Sequence, residues 1–222
     1  MNKADTGKVM DLENITWVTN QRLCDKGLLE QAKIVLKANP RQIILREKHL
    51  SKDEYISLAA DFKALCEDIN GNFNKLTVHF YKEAAFSLGI RKIHLPLYKL
   101  REMSDEEKKY FREIGVSVHS LEELKEAMEL GATYVAAGHI YATNCKKDVP
   151  PRGIEFLKTI VNNSKIPVYA IGGMDLNQDK LNALEKKQIF AIYSMGENIF
   201  YNESKADIEI FIERLQKTGI VE

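Results

Sequence analysis

A histidine that follows a run of small apolar residues is the first candidate for chemistry. The run Tyr134 to Ala137 is typical of a buried strand, and Gly138 and His139 follow it directly. An imidazole at the end of such a strand can take up and release a proton near neutral pH, so it can serve as both acid and base. A hydrogen-bonded core histidine is the equally open alternative. We predict His139 as the candidate catalytic acid–base.

Two cationic residues at the end of a second predicted strand indicate an anionic ligand. Arg46 and Lys48 follow the apolar stretch Gln42 to Leu45, and alternation along a strand would point both side chains to the same side. Two converging cations suit an anionic substrate, whereas a solvated run of charges is the ordinary alternative. Three more polar residues lie at or just beyond the ends of other predicted strands: Ser117, Thr143 and Lys146. We predict these five residues as the substrate-binding set.

Paired glycines after a third run predict a phosphate site. Gly172 and Gly173 follow Val168 to Ile171, and Ser194 follows the next predicted strand. In an α/β barrel the last two loops often hold phosphate, because bare backbone N–H groups can approach the anion and a helix N-terminus adds a favourable dipole. Two ordinary tight turns are the alternative. We predict Gly172, Gly173 and Ser194 as the phosphate-binding residues.

The composition excludes several classes of partner. The 222 residues carry 32 basic and 32 acidic side chains, so no bulk charge favours nucleic acid or an anionic membrane. No run approaches the roughly 18 apolar residues of a membrane span, and the N-terminal stretch lacks the apolar core of a signal peptide. Cys24, Cys66 and Cys145 are odd in number and far apart, which favours reduced thiols over disulfides. We expect a cytoplasmic protein, and a homo-oligomer remains open.

Neither a metal nor a cofactor is expected. The five histidines include no pair with ligand spacing, and few carboxylates lie near them. The chain also lacks the G-x-G-x-x-G turn of dinucleotide-binding folds. The sequence therefore predicts chemistry done by side chains alone.

Eight short runs rich in β-branched or aromatic residues must position these side chains. They are Ile15 to Val18, Gln42 to Leu45, Leu76 to His79, Lys92 to Leu95, Val116 to Val118, Tyr134 to Ile140, Pro167 to Ile171 and Phe190 to Tyr193. Stretches of helical periodicity follow them, and Ser-x-x-Glu capping boxes begin at Ser51, Ser104 and Ser120.

This alternation predicts a (β/α)₈ TIM barrel. The chain has about 28 residues per strand–helix unit, which is close to the number in a compact barrel. A doubly wound open sheet is the alternative. We predict one barrel domain over residues 15–222, preceded by a partly frayed extension over residues 1–14. Because the βα loops of a barrel gather at one rim, the candidate residues would share one site.

Four of these stretches together resemble a known superfamily. In order and spacing, the chain is similar to the thiamin phosphate synthase superfamily at residues 44–48, 116–123, 138–146 and 170–174. Within that superfamily, two features resemble the thiazole tautomerase branch, the TenI family. These are the Gly138-His139 pair, where synthases usually carry proline in place of the histidine, and Cys145-Lys146-Lys147 followed by Arg152-Gly153.

Departures from the synthase pattern point the same way. Synthases have glutamine where Ile44 stands, Asn-Asp where His79 and Phe80 stand, and an aspartate after the fourth strand, where this chain has Leu95-Pro96-Leu97. Those aspartates hold the Mg²⁺ that binds a pyrophosphate. Mg²⁺ requires oxygen ligands, and this chain supplies none at those places.

The resemblance implies a cofactor-free isomerase of thiamin biosynthesis. The substrate would be the thiazole phosphate carboxylate, which His139 would aromatise by moving a proton from the ring to the exocyclic carbon. Arg46, Lys48 and Lys146 would hold the carboxylate. Two alternatives remain: thiamin phosphate synthase, an Mg²⁺-dependent transferase, and a non-catalytic regulatory barrel that binds thiazole or thiamin phosphate.

Overall fold

The computed structural model has an α/β fold with a fully parallel sheet. It describes residues 15–24, 27–37, 39–143, 149–173 and 190–194, and for residues 15, 23 and 190–194 it describes the main chain alone. Eight strands occur in this part of the chain: β1 (Ile15–Val18), β2 (Gln42–Leu45), β3 (Leu76–His79), β4 (Lys92–Pro96), β5 (Glu113–Val118), β6 (Tyr134–Gly138), β7 (Val168–Ile171) and β8 (Phe190–Ser194). Each strand pairs in parallel with the next, and β1 also pairs with β8, which closes the sheet into a barrel.

Helices connect the strands through most of the described chain. They are α1 (Leu28–Lys37), α2 (Lys52–Asn70), α3 (Lys82–Leu88), α4 (Leu97–Arg101), α5 (Asp105–Tyr110), α6 (Leu121–Glu129) and α7 (Gly153–Asn163), and a 3₁₀ turn covers Gln21–Leu23. A parallel neighbour requires a crossover, and a helix that covers the outer face of the sheet is the usual one.

The predicted α/β class and single domain are confirmed, and all eight predicted runs contain a strand. The structure extends β5 back to Glu113 and ends β6 at Gly138 rather than at residue 140. The segments after β7 and β8, the predicted extension over residues 1–14 and the end of the chain lie outside the described residues. The eightfold repeat of strand and helix is therefore shown through β7 and stays a prediction beyond it.

Side-chain alternation gives the strands two different faces. Along β2, Ile43 and Leu45 join the large apolar cluster between strands and helices, whereas Ile44 belongs to a small cluster inside the barrel. Along β6, Val135 and Ala137 likewise face the helices, and Tyr134 and Ala136 face the barrel interior. The period of two residues per strand therefore separates a helix-facing core from a barrel-facing core.

Two of the three predicted capping boxes are complete. The hydroxyls of Ser51 and Ser104 accept the backbone N–H three residues later, and the glutamates at those positions accept the cap N–H in return. The third prediction needs a correction. Ser120 caps α6 by accepting from the Glu123 N–H, but the Glu123 carboxylate accepts from the backbone N–H of His119 instead, at 2.6 Å.

Candidate active site

A cavity of about 560 Å³ opens at the carboxyl ends of the strands. In the described chain, residues at the carboxyl ends of seven of the eight strands line it. These strand ends therefore share one site, as predicted. The predicted residues that line the cavity are Arg46, Lys48, Ser117, His139, Thr143, Gly172 and Gly173, and His79, Tyr81, Pro96 and His119 line it as well. The volume suits a small organic ligand.

Cations stand at the end of β2, with an acidic residue between them. The backbone N–H of Arg46 donates to the Thr19 hydroxyl at 2.8 Å, which ties the end of β2 to that of β1. Both Glu47 oxygens accept from the Gln21 N–H, at 3.0 and 3.1 Å. Because this buried carboxylate is engaged by the neighbouring loop, Arg46 and Lys48 give this side of the cavity its positive character.

His139 is buried, with 4% of its surface exposed, and lines the cavity. Its Nε2 lies 3.1 Å from the carbonyl oxygen of Val149. A carbonyl can only accept, so Nε2 carries a proton, and in the neutral form of the ring the lone pair is on Nδ1. The contact fixes one tautomer and one ring orientation, which is the arrangement of a general base.

The paired glycines pack closely against the His139 loop. Gly172 and Gly173 have φ of 95° and 61°, a region that favours glycine. A Cβ on Gly172 would overlap the Cβ of His139, and a Cβ on Gly173 would overlap the carbonyl oxygen of Ala142. Glycine is thus required here by backbone conformation and by close approach. The same two residues border the cavity with main-chain atoms, as a phosphate site requires.

Two further histidines stand at and behind the wall of the cavity. His79 lines the cavity, and His94 stacks on it with ring centroids 6.0 Å apart. Burial lowers the pKa of His94 to about 3, and the charge of Arg46 adds to the effect. Burial also holds the pKa of His79 well below its ordinary value, with His94, Arg46 and Lys48 contributing. Both rings are therefore neutral at physiological pH, unlike the cations beside them.

The structure brings together most of the predicted set. Arg46, Lys48, Ser117, Thr143, His139 and both glycines border one cavity, whereas Lys146 and the Ser194 side chain lie outside the described residues. Phe80, which the sequence placed at the end of the third strand without a role, lines the cavity, and so do Tyr55 and Tyr98, which sequence reasoning missed.

The donor set of the cavity suits anions and proton transfer. Glu47 is the one carboxylate among its lining residues in the described chain, and its oxygens are already bonded to the Gln21 N–H. Within the same described ranges, no group of three or more His, Cys, Asp or Glu side chains could hold a metal ion. Separately, no helix in the described parts of the chain is long and apolar enough to cross a membrane.

A closed parallel barrel with its cavity at the carboxyl ends of the strands is the architecture of the α/β-barrel enzymes. The family model TMP-TENI, described as "Thiamine monophosphate synthase", matches residues 15–193. The chain belongs to this family of thiamin biosynthesis.

Individual relatives agree with the family. The thiamine-phosphate synthase of Fusobacterium nucleatum is 31% identical over 174 residues, covering 76% of this chain and 82% of the relative. That of Clostridium acetobutylicum is 33% identical over 171 residues, covering 74% and 77%. The structure titled thiamine phosphate pyrophosphorylase from Pyrococcus furiosus has a TM-score of 0.69 at 23% identity and covers 92% of this chain and 98% of that one. At that identity, it supports the fold alone.

The names of these relatives bear on the expected reaction. They describe synthases, which are transferases, and they do not describe an isomerase. The names therefore support the synthase alternative from the sequence better than the tautomerase, and the choice between the two depends on the chemistry of the cavity.

Proposed function

We propose that this protein is a thiazole tautomerase-like isomerase of thiamin biosynthesis. The observation that carries the proposal is the His139 imidazole, which lines the cavity with Nε2 donating to Val149 and a basic Nδ1. The complete chain would form a (β/α)₈ barrel that acts in the cytoplasm without a metal or cofactor.

The proposed reaction needs one base. His139 takes a proton from the thiazole ring carbon, and the electron pair of that C–H bond shifts into the ring. The exocyclic double bond becomes single when the same imidazole returns a proton to the exocyclic carbon. One proton leaves and one is added, so no oxidant or reductant is required. Acid–base assistance of this kind is worth roughly 10² to 10⁴ in rate.

The anionic ends of the substrate fit different parts of the rim. Arg46 and Lys48 at the end of β2, with Lys146, would hold the carboxylate. Gly172 and Gly173 after β7, with Ser194, would hold the phosphate through main-chain donors. Ser117 and Thr143, which line the same cavity, would add hydroxyl hydrogen bonds to the substrate.

The second candidate is thiamin phosphate synthase, which the names of the relatives favour. That reaction calls for Mg²⁺ to neutralise a departing pyrophosphate. The described residues do not fit the ion: His79, Phe80 and Pro96 border the cavity at the strand ends where oxygen ligands are needed, and Glu47 is engaged elsewhere. We therefore assign no step to a metal ion.

Turnover by a His139→Gln variant tests the main proposal. Glutamine can still donate to the Val149 carbonyl, but it has no basic nitrogen, so turnover of thiazole phosphate carboxylate should fall by roughly 10² to 10⁴ while the aromatic product still binds. His49→Gln is the matched control, because His49 does not line the cavity. Parental turnover by His139→Gln would show that His139 is not the base.

Metal dependence separates the two candidates. We expect full tautomerase activity in excess EDTA, and no thiamin phosphate from the pyrimidine pyrophosphate and thiazole phosphate in millimolar Mg²⁺. Formation of thiamin phosphate that EDTA abolishes and Mg²⁺ restores would establish the synthase and overturn the tautomerase assignment.

A further inference from the structure

Three inward-facing residues stand side by side across neighbouring strands. In the sheet register, His94 of β4 pairs with Gly115 of β5, and Gly115 pairs with Tyr134 of β6. A Cβ on Gly115 would overlap both the Tyr134 ring and the His94 imidazole. The missing side chain therefore lets two residues from non-adjacent strands meet across the strand between them.

Their contact extends to the cavity. The Tyr134 hydroxyl lies 3.1 Å from Nδ1 of His94, and Nε2 of His94 lies 2.9 Å from the Ser117 hydroxyl. Tyr134 is 2% exposed and His94 is 4% exposed, whereas Ser117 lines the cavity. One hydrogen-bonded chain thus connects the middle of the barrel to the ligand space.

The hydrogen bonds between Tyr134, His94 and Ser117 all donate in the same direction, towards the cavity. Within the described residues, the acceptor at hydrogen-bond distance from the Tyr134 hydroxyl is Nδ1 of His94. Burial raises the pKa of the Tyr134 phenol, which keeps its proton. Because a buried O–H group needs an acceptor, Tyr134 donates to Nδ1 of His94.

His94 in turn donates a hydrogen bond to Ser117. Burial lowers the pKa of His94 to about 3, so the ring is neutral and has a single N–H. Because Nδ1 accepts, the proton is on Nε2 and is donated to the Ser117 oxygen. The Ser117 hydrogen must then point away from His94.

We propose that His94 is a positioning residue, which holds the Ser117 hydroxyl as a hydrogen-bond donor to the anionic group of the ligand in the cavity. The ligand chemistry rests on the proposed function, but the chain of hydrogen bonds does not. In this arrangement His94 cannot activate Ser117 as a nucleophile, because the nitrogen that faces Ser117 already carries a proton.

A double-mutant cycle on binding tests the proposal. The variants are Ser117→Ala, His94→Phe and the double variant, and the probes are the aromatic carboxythiazole phosphate and thiamin phosphate, one from each candidate function. Losing a hydrogen bond to a charged group weakens binding by roughly 10- to 100-fold, so Ser117→Ala should do so. His94→Phe should weaken binding of the parent but change the Ser117→Ala variant less than about two-fold. Effects that multiply, or parental binding by His94→Phe, would overturn the proposal.

A second variant keeps the test independent of folding. Glutamine at position 94 supplies an N–H near the place of Nε2, so His94→Gln should recover most of the affinity that phenylalanine loses. Binding by a folded His94→Gln variant as weak as that of Ser117→Ala would contradict the assignment, and so would failure of the parent to bind either probe. Because the experiment measures only binding, it still tests the role of His94 if the protein has no tautomerase activity.

Discussion

The two faces of the strands build two cores of different composition. The helix-facing core is apolar and includes Phe62 of α2 and Ile93 of β4, both with no exposed surface. The barrel-facing core holds polar side chains, among them Gln42, Thr77 and His94, which are buried and hydrogen-bonded to one another or to their neighbours. Adjacent residues of the same strand belong to different cores. The comparison shows that hydrophobic burial and ligand chemistry are assigned to separate faces.

The largest effect is expected from a substitution that removes an aromatic ring from the helix-facing core. Phe62→Ala should lower the free energy of unfolding by about 3–5 kcal/mol, because the cavity it leaves adds to the lost burial. Ligand affinity of the folded fraction should not change. Urea unfolding and calorimetric binding measure the two quantities. Phe86→Ala, at a 39% exposed position, is the matched control and should cost much less. A large loss of affinity in Phe62→Ala would break the separation of the two cores.

Overfilling the barrel-facing core should lower both the free energy of unfolding and the ligand affinity. In Gly115→Ala, the new methyl group would overlap Tyr134 and His94, which costs about 1–3 kcal/mol and disturbs the donor to Ser117. Ligand affinity should therefore fall together with stability. Gly71→Ala is the control: Gly71 has φ of 70° and open space around its Cα, so that variant should lose stability with unchanged affinity. Unchanged affinity in Gly115→Ala would weaken the link between this core and the site.

Acid should destabilise the barrel-facing core selectively. The pKa of His94 is about 3 in the folded protein, against an ordinary value of 6.5. Between these two pH values the unfolded state binds a proton that the folded state does not, so stability falls as the pH drops from 6.5 towards 3. This group contributes up to about 1.4 kcal/mol per pH unit. His94→Phe should reduce the slope of the urea-unfolding free energy against pH, and His79, whose pKa burial also lowers, should supply part of the slope that remains. An unchanged slope would show that His94 does not contribute.

The smallest expected effect lies outside both cores. Ser51→Ala removes the cap of α2 and should cost about 1 kcal/mol without changing affinity. Ser87 lies within α3 and donates to the Ala84 carbonyl, so Ser87→Ala should change stability by less than about 0.5 kcal/mol. Thermal unfolding can compare the two variants, and equal effects would mean that the cap does not stabilise α2.

Much of the fold could be predicted because it depends on local patterns. The apolar runs Gln42 to Leu45 and Tyr134 to Ala137 mark strands that the structure contains, and Ser51 and Ser104 begin complete capping boxes. The bonding of Glu123 was predicted only in part. Its carboxylate can reach two nearby N–H groups, and the local pattern does not decide between them.

The site was predictable where residues follow strand ends, and not where contacts join distant parts of the chain. Arg46, Lys48 and His139 came from their positions after apolar runs, because barrel topology gathers such positions at one rim. Tyr55 and Tyr98 were missed. Tyr55 lies within α2, and only the packing of that helix against the sheet brings its side chain to the cavity. Tyr98 lies two residues after β4, where the strand-end rule could have found it.

By itself, the sequence determined the period of each strand, the starts of several helices and the family. Those properties depend on residues a few positions apart. Tertiary structure alone decided that the Val149 carbonyl fixes the tautomer of His139, and that His94 and Tyr134 meet across Gly115. The physical reason is register: parallel strands are joined by long crossovers, so which residues face each other is set by the closure of the barrel and not by their spacing in the chain.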